Sequence, residues 1–113
     1  MARELAKGDI PVLILTVLAQ GASHGYAIAR EIERQSDCGL TLREGSLYPA
    51  LRVLEQEGFV VAEWEIQASG PARKVYRITE AGQVELAQRT QIWKQYTAMI
   101  NRILGDKSHA QAT

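Results

Sequence analysis

The sequence is short of most of what a catalytic or secreted protein uses. Among 113 residues there is one cysteine, Cys38, so no internal disulfide can form, and the lone thiol points to a reducing compartment. There are two histidines, His24 and His109, poor material for acid–base catalysis. No glycine-rich phosphate loop, metal-ligand spacing or nucleophile–base–acid set occurs, so neither an enzyme nor a metal or cofactor site is expected. The first apolar run, Ile10 to Leu18, falls short of the roughly 20 residues that span a bilayer. The basic start and small-residue cleavage site of a signal peptide are missing too, which makes the cytoplasm the expected location, with no membrane contact. Net charge is the last absence: 13 basic side chains balance 13 acidic ones. That counts against a nonspecific polyanion binder, which should show a plain basic footprint. It leaves room for a protein that docks one small face on DNA.

What is present is helical periodicity, interrupted once. Residues 1–8 carry mixed charge without a period and are expected to fray. Asp9 reads as an N-cap with Pro11 in the first turn, opening a helix over 10–20 that stops at Gly21. This helix is apolar nearly all round, and a domain this small has no thick core to bury it. A second subunit is therefore expected against it, meeting Leu13 and Val17. Ser23 reads as the cap of a second helix to about Ser36, with Gly25, Ile28, Ala29 and Ile32 on one face. Residues 37–42 read as a plain connection.

A third helix follows over Glu44–Glu57, closed by Gly58. The period then changes to two: Val60, Ala62, Trp64 and Ile66 alternate with Val61, Glu63 and Glu65. A turn at Ala68-Ser69-Gly70-Pro71 leads to a second strand, Arg73 to Ile78. Folding about Gly70 pairs Trp64 with Tyr76, Ala62 with Ile78, and Glu63 with Arg77. Thr79 caps a last helix to about Leu104. In it Leu86, Trp93 and Ile100 recur at seven-residue intervals, and Tyr96 and Ile103 follow the last two by three. Arg89 interrupts this short seam, which is expected to form a dimer interface. The tail from Gly105 is polar and expected to be disordered.

The predicted fold is mainly α with a small β-hairpin, in the order helix, helix, helix, strand, strand, helix. That is the order of a winged helix-turn-helix unit (residues 1–78) followed by a dimerisation helix (79–104) and a tail (105–113). In the third helix Leu47, Ala50, Leu51 and Leu54 share a core-facing side. Pro49, Arg52 and Gln56 fall opposite, flanked by Gly45 and Tyr48. The second helix of a helix-turn-helix lies in the major groove, where Arg52 can donate to guanine or clamp a phosphate. Ser46 and Tyr48 offer hydroxyls. Pro49 restricts the helix to a start close to Ser46, or to a loosened turn there, freeing backbone to face a phosphate. The hairpin tip, with Arg73 and Lys74 behind it, suits a wing that touches DNA. Local charge adds little: residues 41–58 hold two arginines against three glutamates.

Three stretches, LAQGASHGY (18–26), EGSLYPALRVLEQEG (44–58) and GPARKVYRITEAG (70–82), resemble the PadR family of bacterial transcriptional regulators. The resemblance covers roughly residues 10–82. It implies a winged-helix homodimer, usually a repressor, acting on a pseudo-palindromic operator in double-stranded DNA. It also implies reading roles for Ser46, Tyr48, Pro49 and Arg52, and wing roles for Arg73 and Lys74. Tyr26 is expected either to touch a phosphate or, as the favoured reading, to pack beneath the recognition helix, and His24 to be structural. The single short C-terminal helix is similar to the smaller branch of the family. In some members a tryptophan at the position of Trp93 lines a cavity between subunits where flat aromatic or cationic hydrophobic ligands stack; simple packing in the subunit interface is the other role open to Trp93, and the favoured one. Val53 departs from the family pattern, standing where a basic residue is common. The competing reading is a winged helix that docks a protein through the same face, which the neutral charge and Val53 both fit.

Overall fold

The first long helix, α1 (Ile10–Gln20), is the axis around which the chain is built. It touches α2 (Gly25–Gln35), α3 (Glu44–Gln56), strand β5 (Arg73–Ile78) and α4 (Glu80–Leu104). Ile14 and Leu15 are wholly buried, and Ile28, Leu47, Leu51 and Leu54 close over them. Most of the apolar surface of α1 is thus covered within one chain, so its all-round apolarity does not by itself require a second subunit. Val17, expected at a dimer interface, is only 6% exposed and belongs to this core. Leu13 keeps a half-open flank. A core this thick is possible because α4 folds back across α1, a long-range contact that no periodicity announces. The computed structural model describes residues 2–105, so the expected tail beyond Gly105 lies outside them.

Several expected loops are short strands. β1 (Arg3–Glu4) pairs in parallel with β3 (Leu40–Thr41), flanked by bonds from Arg3 N–H to Gly39 O (2.8 Å) and from Leu5 N–H to Thr41 O (3.0 Å). Leu5 is buried, so the segment expected to fray is anchored. Two-residue strands are too short to show an alternation, which is why they read as loop. β2 (Ser23–His24) pairs antiparallel with β5, and α2 starts only at Gly25. Ser23, expected to cap α2, instead donates its hydroxyl to the His24 carbonyl (3.3 Å). Asp9 precedes α1 as expected, but it ends a 3-10 turn (Lys7–Asp9) and its carboxylate makes no capping bond.

The hairpin of β4 (Val60–Glu65) and β5 forms as predicted but two residues out of register, with Val60 opposite Ile78, Ala62 opposite Tyr76 and Trp64 opposite Lys74. A shift of two keeps every side chain on its expected face. The reason lies at the hairpin base. Val60 is buried opposite Ile78, and Thr79 N–H bonds Phe59 O (3.0 Å), a closure the other register would miss. Glu63 accordingly faces Val75, yet still reaches Arg77 diagonally at 4.0 Å.

Thr79 is the cap of α4. Its hydroxyl accepts from Gly82 N–H (3.0 Å) and donates to Gly58 O (2.7 Å), joining the helix start to the turn after α3. Past its packing on α1, the 25-residue helix has no further partner among the described residues. Ile92, Trp93, Tyr96, Met99, Ile103 and Leu104 are all exposed.

Candidate nucleic-acid interface

The amphipathic pattern of α3 sets what it shows. Leu47, Leu51 and Leu54 are buried against α1 and α2, while Tyr48, Pro49, Arg52, Val53 and Gln56 face outward and Ser46 is half-buried. Arg43 stands at the N-cap without a side-chain bond, and its carbonyl accepts from both Ser46 N–H (3.0 Å) and Leu47 N–H (2.9 Å). Helix geometry leaves the N–H groups of Glu44 and Gly45 without partners in the helix. These two donors, with the positive end of the dipole, favour an anion at this end.

Of the two readings of Pro49, the late helix start fails and the loosened turn remains. The helix starts at Glu44, two residues ahead of Ser46, and carries Pro49 inside it. A proline there has no N–H for the carbonyl four residues earlier, that of Gly45. The group it frees is an acceptor, which repels phosphate, so the anion-facing donors are those of the helix start alone.

Tyr48 has its own seat. A β-carbon on Gly25 would meet the Tyr48 ring at Cε1 (2.8 Å) and Oη (3.1 Å), so the ring lies directly over the start of α2. In the HGY triplet it is therefore the glycine that packs under the recognition helix. Tyr26, expected there, is 58% exposed and lies under the Arg30 guanidinium, which sits 5.4 Å from the ring centre and donates to Tyr26 Oη (3.3 Å).

The wing's two cations differ. Arg73 is exposed at the outer end of β5 and makes no ion pair among the described residues. Lys74 is half-buried instead. Its Nζ lies 3.5 Å from Glu55 Oε1 on α3 and 5.6 Å from the Tyr76 ring centre, so it braces wing to helix. Burial pushes the Tyr76 phenol above its ordinary range, Lys74 pulls the other way, and Glu55 and Tyr48 add to the rise. Arg52 has no carboxylate partner among the described residues. Behind the sheet, His24 Nε2 is buried and unbonded, with Glu65 Oε1 at 3.6 Å, just beyond hydrogen-bond reach. Glu55 was not singled out from the sequence, although it follows Tyr48 by seven residues and so shares its side of the helix.

Trp93 is 48% exposed on α4, with the Tyr96 ring 6.2 Å away. It lines a cavity of about 490 Å³ together with Leu5, Val12, Leu13, Thr16 and Leu40. The cavity is bounded by the N-terminal segment, α1 and α4, and Arg3, Glu4 and Asp9 also line it. Leu86 packs half-buried on the core, whereas Tyr96 and Ile103 lie exposed farther along the helix, with Ile100 half-buried between them. No helix among the described residues is long and apolar enough to cross a membrane.

Comparison with known proteins bears directly on this arrangement. Residues 14–88 match the model of the Transcriptional regulator PadR-like family. Transcriptional regulator Rv3488 of Mycobacterium tuberculosis is 32% identical over 107 residues, 95% of this chain and 94% of that protein. The Negative transcriptional regulator PadR of Bacillus subtilis is 30% identical over 73 residues, 65% of this chain but 40% of its own length. The chain thus spans nearly all of the first relative and about two fifths of the second. Among solved structures, a PadR family transcription regulator from Clostridium difficile superposes with a TM-score of 0.76 at 31% identity, covering 87% of this chain and 100% of that one.

Proposed function

The chain belongs to the PadR-like family of transcriptional regulators, and on that premise we propose that it is a homodimeric repressor that reads a pseudo-palindromic operator through α3 and the wing. The observation that carries this reading is α3 itself. Its leucines are sunk into the core while Gly45, Tyr48, Pro49 and Arg52 are exposed, and the wing is braced to the same helix through Lys74 and Glu55. In this reading Arg52 donates to a base edge or a phosphate, the Glu44 and Gly45 N–H groups meet a phosphate, and Ser46 and Tyr48 supply hydroxyls. Pro49 shapes the exposed turn between them. Repression rather than activation is supported by the relative described as a negative regulator.

Residues 1–78 form the reading unit and residues 79–104 the helix that joins two copies. The unpartnered apolar stripe of α4, Trp93, Tyr96, Ile100 and Ile103, supports that pairing. The effector is a flat hydrophobic or aromatic molecule that stacks on Trp93. The cavity beside Trp93 has a volume in the range of small-molecule sites, roughly 300–1,000 Å³.

The direct test is binding of the purified protein to duplex DNA from upstream of its own gene, against a scrambled duplex, at two salt concentrations. Preferential binding that weakens with salt is expected, with a log–log slope of about −0.9 per phosphate contact. Equal binding to both duplexes, independent of salt, contradicts groove reading and favours a protein partner. A mass near twice that of the chain in sedimentation equilibrium is the expected companion result. Aromatic compounds titrated against tryptophan emission test the effector, and no response across a broad panel rejects it.

A further inference from the structure

The wing carries an apolar surface that the core does not use. Along β4 and the residue just past it, alternate positions become steadily more open as the hairpin leaves the body. Val60 is buried and Ala62 half-buried, but Trp64 is 69% and Ile66 89% exposed. The Trp64 ring has no aromatic partner among the described residues. Its surroundings are specific. Trp64 is directly opposite Lys74, on the face that also holds Tyr76, and Lys74 reaches Glu55 of α3. Trp64 therefore stands on the side of the wing turned toward the recognition helix, just beyond the last contact between them.

That placement selects an occupant. When a recognition helix lies in the major groove and a wing enters the neighbouring minor groove, one sugar–phosphate strand runs between them. The wing face turned toward α3 meets the deoxyriboses of that strand, which are apolar, and its phosphates, which are anionic. A bare indole with an ammonium group across the ladder matches both. A partner protein's apolar surface would match the indole but not the Lys74 ammonium group, whose side chain stays 40% exposed beside Glu55. We propose that Trp64, extended by Ile66, packs on the sugars of the DNA strand between the two grooves, with Lys74 shared between Glu55 and a phosphate. The inference rests on the DNA-reading role of α3 and adds to it a contact that is apolar and indifferent to sequence.

Such a contact has a signature that a charged one lacks. Removing it weakens binding to any duplex without changing the number of neutralised phosphates, so the salt slope stays put. The test is fluorescence anisotropy of the full chain with two labelled duplexes, one from upstream of its own gene and one scrambled, over a range of salt. Trp64→Ala is expected to weaken both complexes roughly 10-fold, in the range of aromatic contacts to nucleic acid, with an unchanged slope. Trp64→Phe should recover most of the loss. Ile66→Ser, at a position too exposed to affect folding, should weaken both a few-fold. If Trp64→Ala and Ile66→Ser both bind within twofold of the unaltered protein while that protein still discriminates the two duplexes, the inference is wrong and the DNA reading stands. A slope that flattens with Trp64→Ala also overturns it, because the lost contact was then electrostatic. Failure of the unaltered protein to bind either duplex overturns both readings together.

Discussion

Gly82 holds the start of α4 against the base of the hairpin, and replacing it with alanine should separate the two. Helix propensity alone favours the change by up to about 1 kcal/mol. The space does not. A β-carbon at Gly82 would fall on the Phe59 carbonyl oxygen, with Ile78 Cγ1 at 2.7 Å and the Phe59 carbonyl carbon at 3.0 Å. Ile78 can turn aside, but the carbonyl is fixed by the N–H of Thr79 at 3.0 Å. The helix start must therefore back away. Doing so strains the Thr79 cap, worth about 1 kcal/mol, and the hydroxyl bond to Gly58. Overpacking of this kind costs about 1–3 kcal/mol, which outweighs the propensity gain. A net loss of about 2–3 kcal/mol is expected, or a fall in Tm of roughly 10–20 °C for a domain of this size. Thermal melting followed by circular dichroism measures it. Gly45→Ala is the control, since Gly45 also lies in a helix but has nothing within 4 Å of an added β-carbon. A Gly82→Ala melt within about 2 °C of the unaltered protein would refute the reasoning, since no fixed carbonyl could then occupy that space.

Arg52→Ala is expected to cost roughly 1–3 kcal/mol of operator binding and to relax sequence preference at the base it reads, as measured by titrating operator variants. Glu55→Gln should tighten binding to every duplex alike, because it frees Lys74 from its carboxylate partner at 3.5 Å, whereas Lys74→Ala should weaken every duplex and flatten the salt slope by about 0.9. Equal slopes for those two variants would mean that Lys74 never meets a phosphate. Gly25→Ala presses on the far end of a movable ring rather than on backbone, so Tm should change little while operator affinity falls, with the Tyr48→Phe variant reporting how much of that fall belongs to the hydroxyl.

The contrast between Gly25 and Gly82 also shows what could be read in advance. Helix boundaries were legible because glycine, proline and threonine mark them chemically: α1, α3 and α4 begin and end within a residue or two of expectation. The faces of the hairpin were legible because a period of two survives any even shift. Its register was not, because the buried pair that sets it, Val60 with Ile78, lies at the base rather than at the turn. The two-residue strands β1, β2 and β3 were invisible for want of length. The wrapping of α1 was invisible for another reason. Apolar residues all round a helix report that something covers it and say nothing about which chain supplies the cover. The same limit applied to Lys74, whose place in the ladder was legible but whose reach back to Glu55 depended on how the wing sits against α3.

Neutral charge and an open α4 are connected. Three acids are paired, Glu55 by Lys74, Glu63 by Arg77 and Glu4 by Arg43 at 3.9 Å, while Glu44 and Glu57 at the two ends of α3 lie exposed without an ion pair among the described residues. Pairing quiets those three carboxylates, but it also occupies the cations. Arg52 and Arg73 are the basic side chains of α3 and the wing that these pairs leave over. Two free cations, Lys74 shared with Glu55, and a helix start neutralise few phosphates, and one such face holds a duplex weakly at physiological salt. Joining two faces makes the second docking intramolecular, so the affinities compound without any new contact in the groove. The far half of α4, apolar and without a partner among the described residues, is what can supply that join. In such a design sequence-independent attraction is kept low, and discrimination between sites falls to Arg52, Tyr48 and the spacing of the two faces.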